Sequence, residues 1–136
     1  RKNGGRAVMR EILFRGKRMV NGEWVQGYVY QIWESVYILW GMTNGVPNMI
    51  EVIPETVGQY TGLTDKHGVK IFEGDIVKLD KDVKQAFKIN DGTVQFGRGG
   101  FYVKEFGLLN SLDAIASADW VLRGEVIGNI HEQEEQ

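Results

Sequence analysis

The sequence has no cysteine. That one absence excludes disulfides, thiolate nucleophiles, iron–sulfur clusters and the usual structural zinc sites, and it fits a reducing compartment. Long apolar runs are missing too. The longest candidates, such as Val36 to Trp40, are strand-length, far short of the roughly 18–20 residues a membrane span needs, and no apolar segment near the start resembles a signal peptide. A soluble cytoplasmic protein is the expectation. Charge of one sign is equally scarce, with Lys+Arg 16 against Asp+Glu 18 and a net charge of −2. Residues 1–8 precede a Met and carry three basic residues with no apolar pattern, so they read as cloning residue and not as fold. Without them 13 basic residues face 18 acidic ones, a net of −5. That balance counts against nucleic-acid binding driven by phosphate neutralisation.

What is present is an ordinary globular composition: 136 residues, 43% hydrophobic, 18 Gly and 2 Pro. A chain of this length buries roughly two thirds of the surface its unfolded form exposes, so packing alone can hold it together. Residues 9–131 read as a single domain, and 132–136 as an acidic, solubilising tail with frayed ends.

Apolar residues recur with period two far more often than with helical period. From Glu23 to Ile32, Trp24, Gln26, Tyr28, Tyr30 and Ile32 share one face and Val25, Gly27, Val29 and Gln31 the other, which predicts a mostly buried strand. Asn21-Gly22 and Asn44-Gly45 are tight-turn signals, because a type I′ turn needs positive φ at both central residues. Val36 to Trp40 and Met49 to Ile53 are further strands, the latter closed by Pro54. Ile76 to Leu79, Thr93 to Phe96, Phe101 to Phe106 and Glu125 to Ile130 continue the pattern. The spacing predicts a mainly β domain of small barrel or sandwich type, with at most one or two short helices. Leu108 to Ala118 is the helical candidate, and Asp80 to Gln85 reads as an exposed loop. Trp24, Tyr28, Val29, Ile71, Ile76, Val77, Val126 and Ile127 are expected in the core.

The most informative stretch runs from Val57 to Val77. Asp65-Lys66-His67-Gly68 suits a turn with Gly68 in the left-handed position, and Glu73-Gly74-Asp75 turns the chain into Ile76 and Val77. Asp65, Gly68, Gly74 and Asp75 are therefore turn-forming residues. The segment Tyr-Thr-Gly-Leu, Asp-Lys-x-Gly, Glu-Gly-Asp-Ile-Val resembles the signature of the YopX family of bacteriophage and prophage proteins. Two flanking blocks also match, Arg10 to Gly16 and Gly124 to Glu132, while Leu79 to Trp120 carries no matching motif. The resemblance implies a β-rich fold and a mobile-element origin in a bacterial host cell. The family has no established activity, so no catalytic residue carries over.

The candidate chemistries are thin. His67 and His131 are 64 positions apart and neither belongs to a local ligand pair, so no metal site is assigned. Ser35, Ser111 and Ser117 lack a nucleophile-elbow context. Glu73 and Asp75, with Glu55 or Asp65, could form paired carboxylates, but the turn accounts for them. Gly97-Arg98-Gly99-Gly100 lacks the Lys-Ser/Thr of a phosphate loop, and a hairpin explains it. Lys66, Lys70, Lys78, Lys81, Lys84 and Lys88 cluster in sequence but are interleaved with acids. The reading is of a phage or prophage accessory protein that works by binding a protein partner or itself, without cofactor, metal or catalytic residue. A small nucleic-acid-binding β-barrel is the alternative. Lys66, His67, Lys70 and Glu73, on the turn and the strand after it, are the candidate partner-binding residues.

Overall fold

The computed structural model describes residues 11–88, 91–97, 99–105, 108–111, 116 and 120–132. Residues 1–8 and 133–136 lie outside them. Period-two patterning becomes two antiparallel sheets. The first is built from β1 (Phe14–Lys17), β2 (Trp24–Ile32), β3 (Ser35–Thr43), β4 (Val46–Val52), β5 (Gly58–Thr64) and β6 (Lys70–Phe72), in the order β4-β3-β2-β1-β5-β6. The second holds β7 (Asp75–Leu79), β8 (Gly92–Gly97), β9 (Gly100–Glu105), β10 (Leu108–Ser111) and β11 (Gly124–Asn129), in the order β10-β9-β8-β7-β11. Among the described residues there is no closed barrel. The first sheet coils until Arg18, just beyond β1, bridges Val52 on β4, and Ile53 N–H donates to the Lys17 carbonyl at 2.8 Å.

Each sheet contributes to a core. Val25, Val36, Ile38 and Val52 fill the inside of the coiled first sheet, packed by Phe14, Ile50 and Val57. Leu63 and Ile71 of β5 and β6 join Val77, Leu79, Val94, Val103 and Leu122 in a second cluster between the sheets. Buried aliphatic side chains each contribute about 1.5–3 kcal/mol.

Several expectations need correction. Asp80 to Gln85 is not a loop: Lys81–Phe87 forms helix α1, with extended Asp80 before it, Asp82 in its first turn and Lys88 in the left-handed conformation at its end. Val83 is its buried residue, so the apolar stripe is too sparse to stand out in the sequence. Leu108 to Ala118 begins as a strand, because Leu108–Ser111 finds a partner in Tyr102–Glu105; residues 112–115 and 117–119 lie outside the described set. The strand expected from Met49 starts at Val46 and includes Pro47, which is tolerated on an edge strand where a missing donor breaks no ladder. Asn44 and Gly45 both have positive φ, 52° and 80°, as the tight turn requires, whereas at Asn21-Gly22 Gly22 alone does. Among the described residues no helix is long and apolar enough to cross a membrane.

Of the residues expected in the core, Ile71 and Val77 are fully buried, and Trp24, Ile76 and Val126 half-buried. Tyr28, Val29 and Ile127 are exposed. Ile127 sits at a bulge between Val126 and Gly128 on the edge strand β11, where a ladder irregularity re-aims side chains. Tyr28 belongs to the outer face of the coiled sheet.

Candidate functional site

The turn between β5 and β6 is organised by Asp65, whose side chain is almost completely buried. Its Oδ1 accepts from the N–H groups of His67 at 2.8 Å and Val69 at 2.9 Å, and its Oδ2 from Val126 N–H at 2.9 Å. The hairpin is thereby fastened to β11 of the other sheet. Burial alone would raise the Asp65 pKa, but the N–H donors of Val126, Val69 and His67 prevail and hold it below the ordinary carboxylate value. Gly68 and Gly74 have φ of 83° and 96°, as turn chemistry predicts. At Gly74 a Cβ would also meet His131 Nε2 at 3.4 Å.

The four candidate partner-binding residues already have intrachain contacts. Lys66 pairs with Asp80 at 2.8 Å, His67 Nε2 lies 3.1 Å from Glu125, and Lys70 lies 3.5 Å from Glu11 and over the Tyr60 ring. Glu73 Oε1 accepts from Gln59 N–H at 3.4 Å. Lys66 and His67 share the turn tip. Lys70 stands at the start of β6, and Glu73 faces a cleft of about 220 Å³ with Glu55, Gln95, Phe96 and His131.

A different surface was missed. On β2, β3 and β4 the cross-strand register is Tyr28 opposite Leu39 opposite Met49, and Tyr30 opposite Tyr37 opposite Glu51. Directly opposed residues share a face, so these six form two adjacent rows on the outside of the arm. Tyr28 is 60% exposed, Tyr30 45% and Met49 49%, while the opposite face carries the buried Val36, Ile38 and Val52. Trp33, at the tip between β2 and β3 with φ of 52°, is 88% exposed. Alternation in the sequence separates the two faces but places residues of both in the core, Trp24 and Tyr28 from one and Val29 from the other, whereas Tyr28 and Val29 are exposed. The signal that could have reversed this is charge: from Met19 to Thr64 there are four Glu and no Lys or Arg.

At the joint between the sheets Arg15 donates to Asp75 Oδ1 at 2.7 Å, with Asp75 Oδ2 accepting from Phe72 N–H at 2.8 Å. The guanidinium lies 4.6 Å from the Trp24 ring centroid and 4.8 Å from that of Phe72. Lys17 Nζ donates to the His131 carbonyl at 2.8 Å, and Trp24 Nε1 donates to Glu132 at 2.6 Å, so Glu132, the first residue of the acidic tail, is anchored. Burial raises the Asp75 pKa against the Phe72 N–H and Arg15, and burial together with Arg15 and Lys17 lowers that of His131. Of the four carboxylates weighed for acid–base work, Asp75 is thus committed to Arg15 and Phe72 N–H and Asp65 to backbone donors, while Glu55 and Glu73 line the cleft.

The model of the family described as YopX protein matches residues 13–136. The chain belongs to the YopX family. No curated protein matches it. In this YopX chain the three sequence blocks meet in space: Arg15 from the first, Asp75 from the second and His131 from the third surround the same joint, and Asp65 reaches Val126. Arg15, Asp65, Asp75 and His131 of the YopX blocks therefore join the two sheets, and the two arm rows belong to none of those blocks.

Proposed function

We propose that this YopX chain is a phage or prophage accessory protein of the bacterial cytoplasm that acts by binding a protein partner through the outer face of β2, β3 and β4, and not by catalysis. The observation that carries the reading is the pair of outward-facing rows, Tyr28-Leu39-Met49 and Tyr30-Tyr37-Glu51, in which Tyr28, Tyr30 and Met49 are exposed and Leu39, Tyr37 and Glu51 half-buried, backed by the core on the other face. Tyrosine and methionine are enriched where proteins meet, since they offer large contact area at little entropic cost. Charge favours protein over nucleic acid, because this face offers a carboxylate and no cation to a phosphate backbone. Of the six lysines clustered in sequence, Lys66, Lys70 and Lys84 are paired with Asp80, Glu11 and Asp91, while Lys78, Lys81 and Lys88 are exposed.

The test compares partners recovered from phage-bearing host cells by the parent chain, by a Tyr28→Thr/Tyr30→Thr variant and by a Lys66→Ala/His67→Ala/Lys70→Ala variant, all of matched melting temperature. A partner lost with the tyrosine variant alone is the expected result. Loss with the second variant alone would move the site to the β5–β6 turn. A salt-sensitive nucleic-acid complex unaffected by the tyrosine changes would replace the reading.

A further inference from the structure

Resting on that reading, we propose that the row Tyr30-Tyr37-Glu51 receives a guanidinium or ammonium group from an extended segment of the partner, and that the neighbouring row Tyr28-Leu39-Met49 receives an apolar side chain two residues away. The chain itself shows the chemistry twice. Arg15 lies over Trp24 and Phe72 while bonded to Asp75, and Lys70 lies 5.2 Å from the centroid of Tyr60 while paired with Glu11. In both places aromatic rings and a carboxylate share one cation.

On the arm, rings and a carboxylate again stand side by side, with Tyr30 opposite Tyr37 and Tyr37 opposite Glu51. Here the three strands supply no cation, since the stretch from Met19 to Thr64 contains no Lys or Arg, and Arg18, whose backbone bridges Val52 beside Glu51, makes no ion pair among the described residues. Among the described residues Glu51 makes no ion pair. Charge complementarity therefore calls for a cation from outside.

The spacing of the rows sets the pattern of the ligand. Tyr28 and Tyr30 are two residues apart on one strand, a separation of about 6.8 Å, which is also the spacing of same-side residues in an extended peptide. A segment lying along β2 would place an apolar residue on the first row and a cation on the second. Arginine suits the second row better than lysine, because a planar guanidinium can stack on a tyrosine ring while presenting paired donors to Glu51.

The test titrates the full chain with two blocked peptides, Thr-Leu-Thr-Arg-Thr and the same peptide with citrulline for arginine, at millimolar concentration, following the tyrosine and backbone resonances of β2–β4. The arginine peptide should shift Tyr28, Tyr30 and Tyr37 and bind about fivefold tighter than its uncharged twin. Glu51→Gln should reduce that preference below about twofold without changing citrulline-peptide binding. Equal affinity of the two peptides at these resonances would overturn the cation assignment and leave the arm as a binding face. Absence of any shift on the arm would overturn it too, and the recovery experiment above then decides separately whether the face binds at all. A dimer of the free chain in sedimentation, lost in Tyr28→Thr/Tyr30→Thr, would overturn it by assigning the face to a second copy.

Discussion

The joint between the sheets and the outer arm use the same kinds of residue to opposite ends. At the joint, Arg15 lies over Trp24 and Phe72 and bonds Asp75, and Lys17 lies over Trp24, so rings and carboxylates are supplied with cations from the same chain. On the arm, Tyr30, Tyr37 and Glu51 adjoin with no cation between Met19 and Thr64 to meet them. The difference teaches how to separate aromatic residues that hold a fold from those left for recognition: hydrophobicity does not distinguish them, whereas the presence of an internal counter-charge does.

The comparison breaks most readily at the ion pair. Asp75 is almost completely buried and Arg15 nearly so, and removing one partner of such a pair strands the other in a poorly solvated site. Arg15→Met should therefore lower unfolding free energy by about 3–5 kcal/mol, while Arg15→Met/Asp75→Leu should recover most of the loss. Urea denaturation measures both, and a single-variant loss below about 1 kcal/mol would mean that the charges do not secure the joint.

A smaller effect is expected at Asp65. Asp65→Asn should cost about 1–3 kcal/mol at neutral pH, because its amide cannot serve all three backbone donors. The pH dependence has a definite sign. The folded-state pKa of Asp65 lies below its unfolded value, so its contribution is complete above the unfolded pKa of about 3.9 and is lost as pH falls through the folded pKa. The variant should therefore show a shallower acid limb in melting temperature against pH. Asp75 works in the opposite direction, since its folded-state pKa is raised.

The smallest effect belongs to the arm. Tyr28→Thr/Tyr30→Thr removes two exposed rings from strands that thermal melting should find altered by less than about 0.5 kcal/mol. A loss of several times that size would place the rings in the structural class and remove the contrast.

The strands were legible because period-two alternation and turn chemistry act locally: Asn44-Gly45, Gly68 and Gly74 adopt the positive φ that their context demands. The direction of β2 was not. Its rings, Trp24, Tyr28 and Tyr30, look like core beside Val25, Gly27 and Val29, but the sheet coils so tightly that a Cβ on Gly27 would lie 2.0 Å from the Leu39 carbonyl oxygen. The inside of that curve is filled by Phe14, Ile38, Ile50 and the valines, with no room for a side chain at Gly27, and the rings of β2 stand on the other face. Helix α1 stayed hidden because Val83 is its buried anchor, and the helix candidate at Leu108 gave way to pairing with β9. The Asp65 and Asp75 turns were readable, whereas their bonds to Val126 and Arg15 depend on contacts 61 and 60 residues away in sequence.

The fastening of Trp24 has a consequence for the order in which the protein is made. The first sheet is complete at Phe72 and the second begins at Asp75, so each is encoded by one continuous stretch. The groups that accept from the Trp24 indole and the Lys17 ammonium, however, lie 108 and 114 residues further on, at Glu132 and His131. On a ribosome, where N-terminal parts emerge and fold first, the first sheet is released with Arg15 and Lys17 already beside the indole but with no Glu132 to accept from its N–H. The joint around that indole is completed only when these late residues have left the exit tunnel, which makes its closure a late step of biosynthesis.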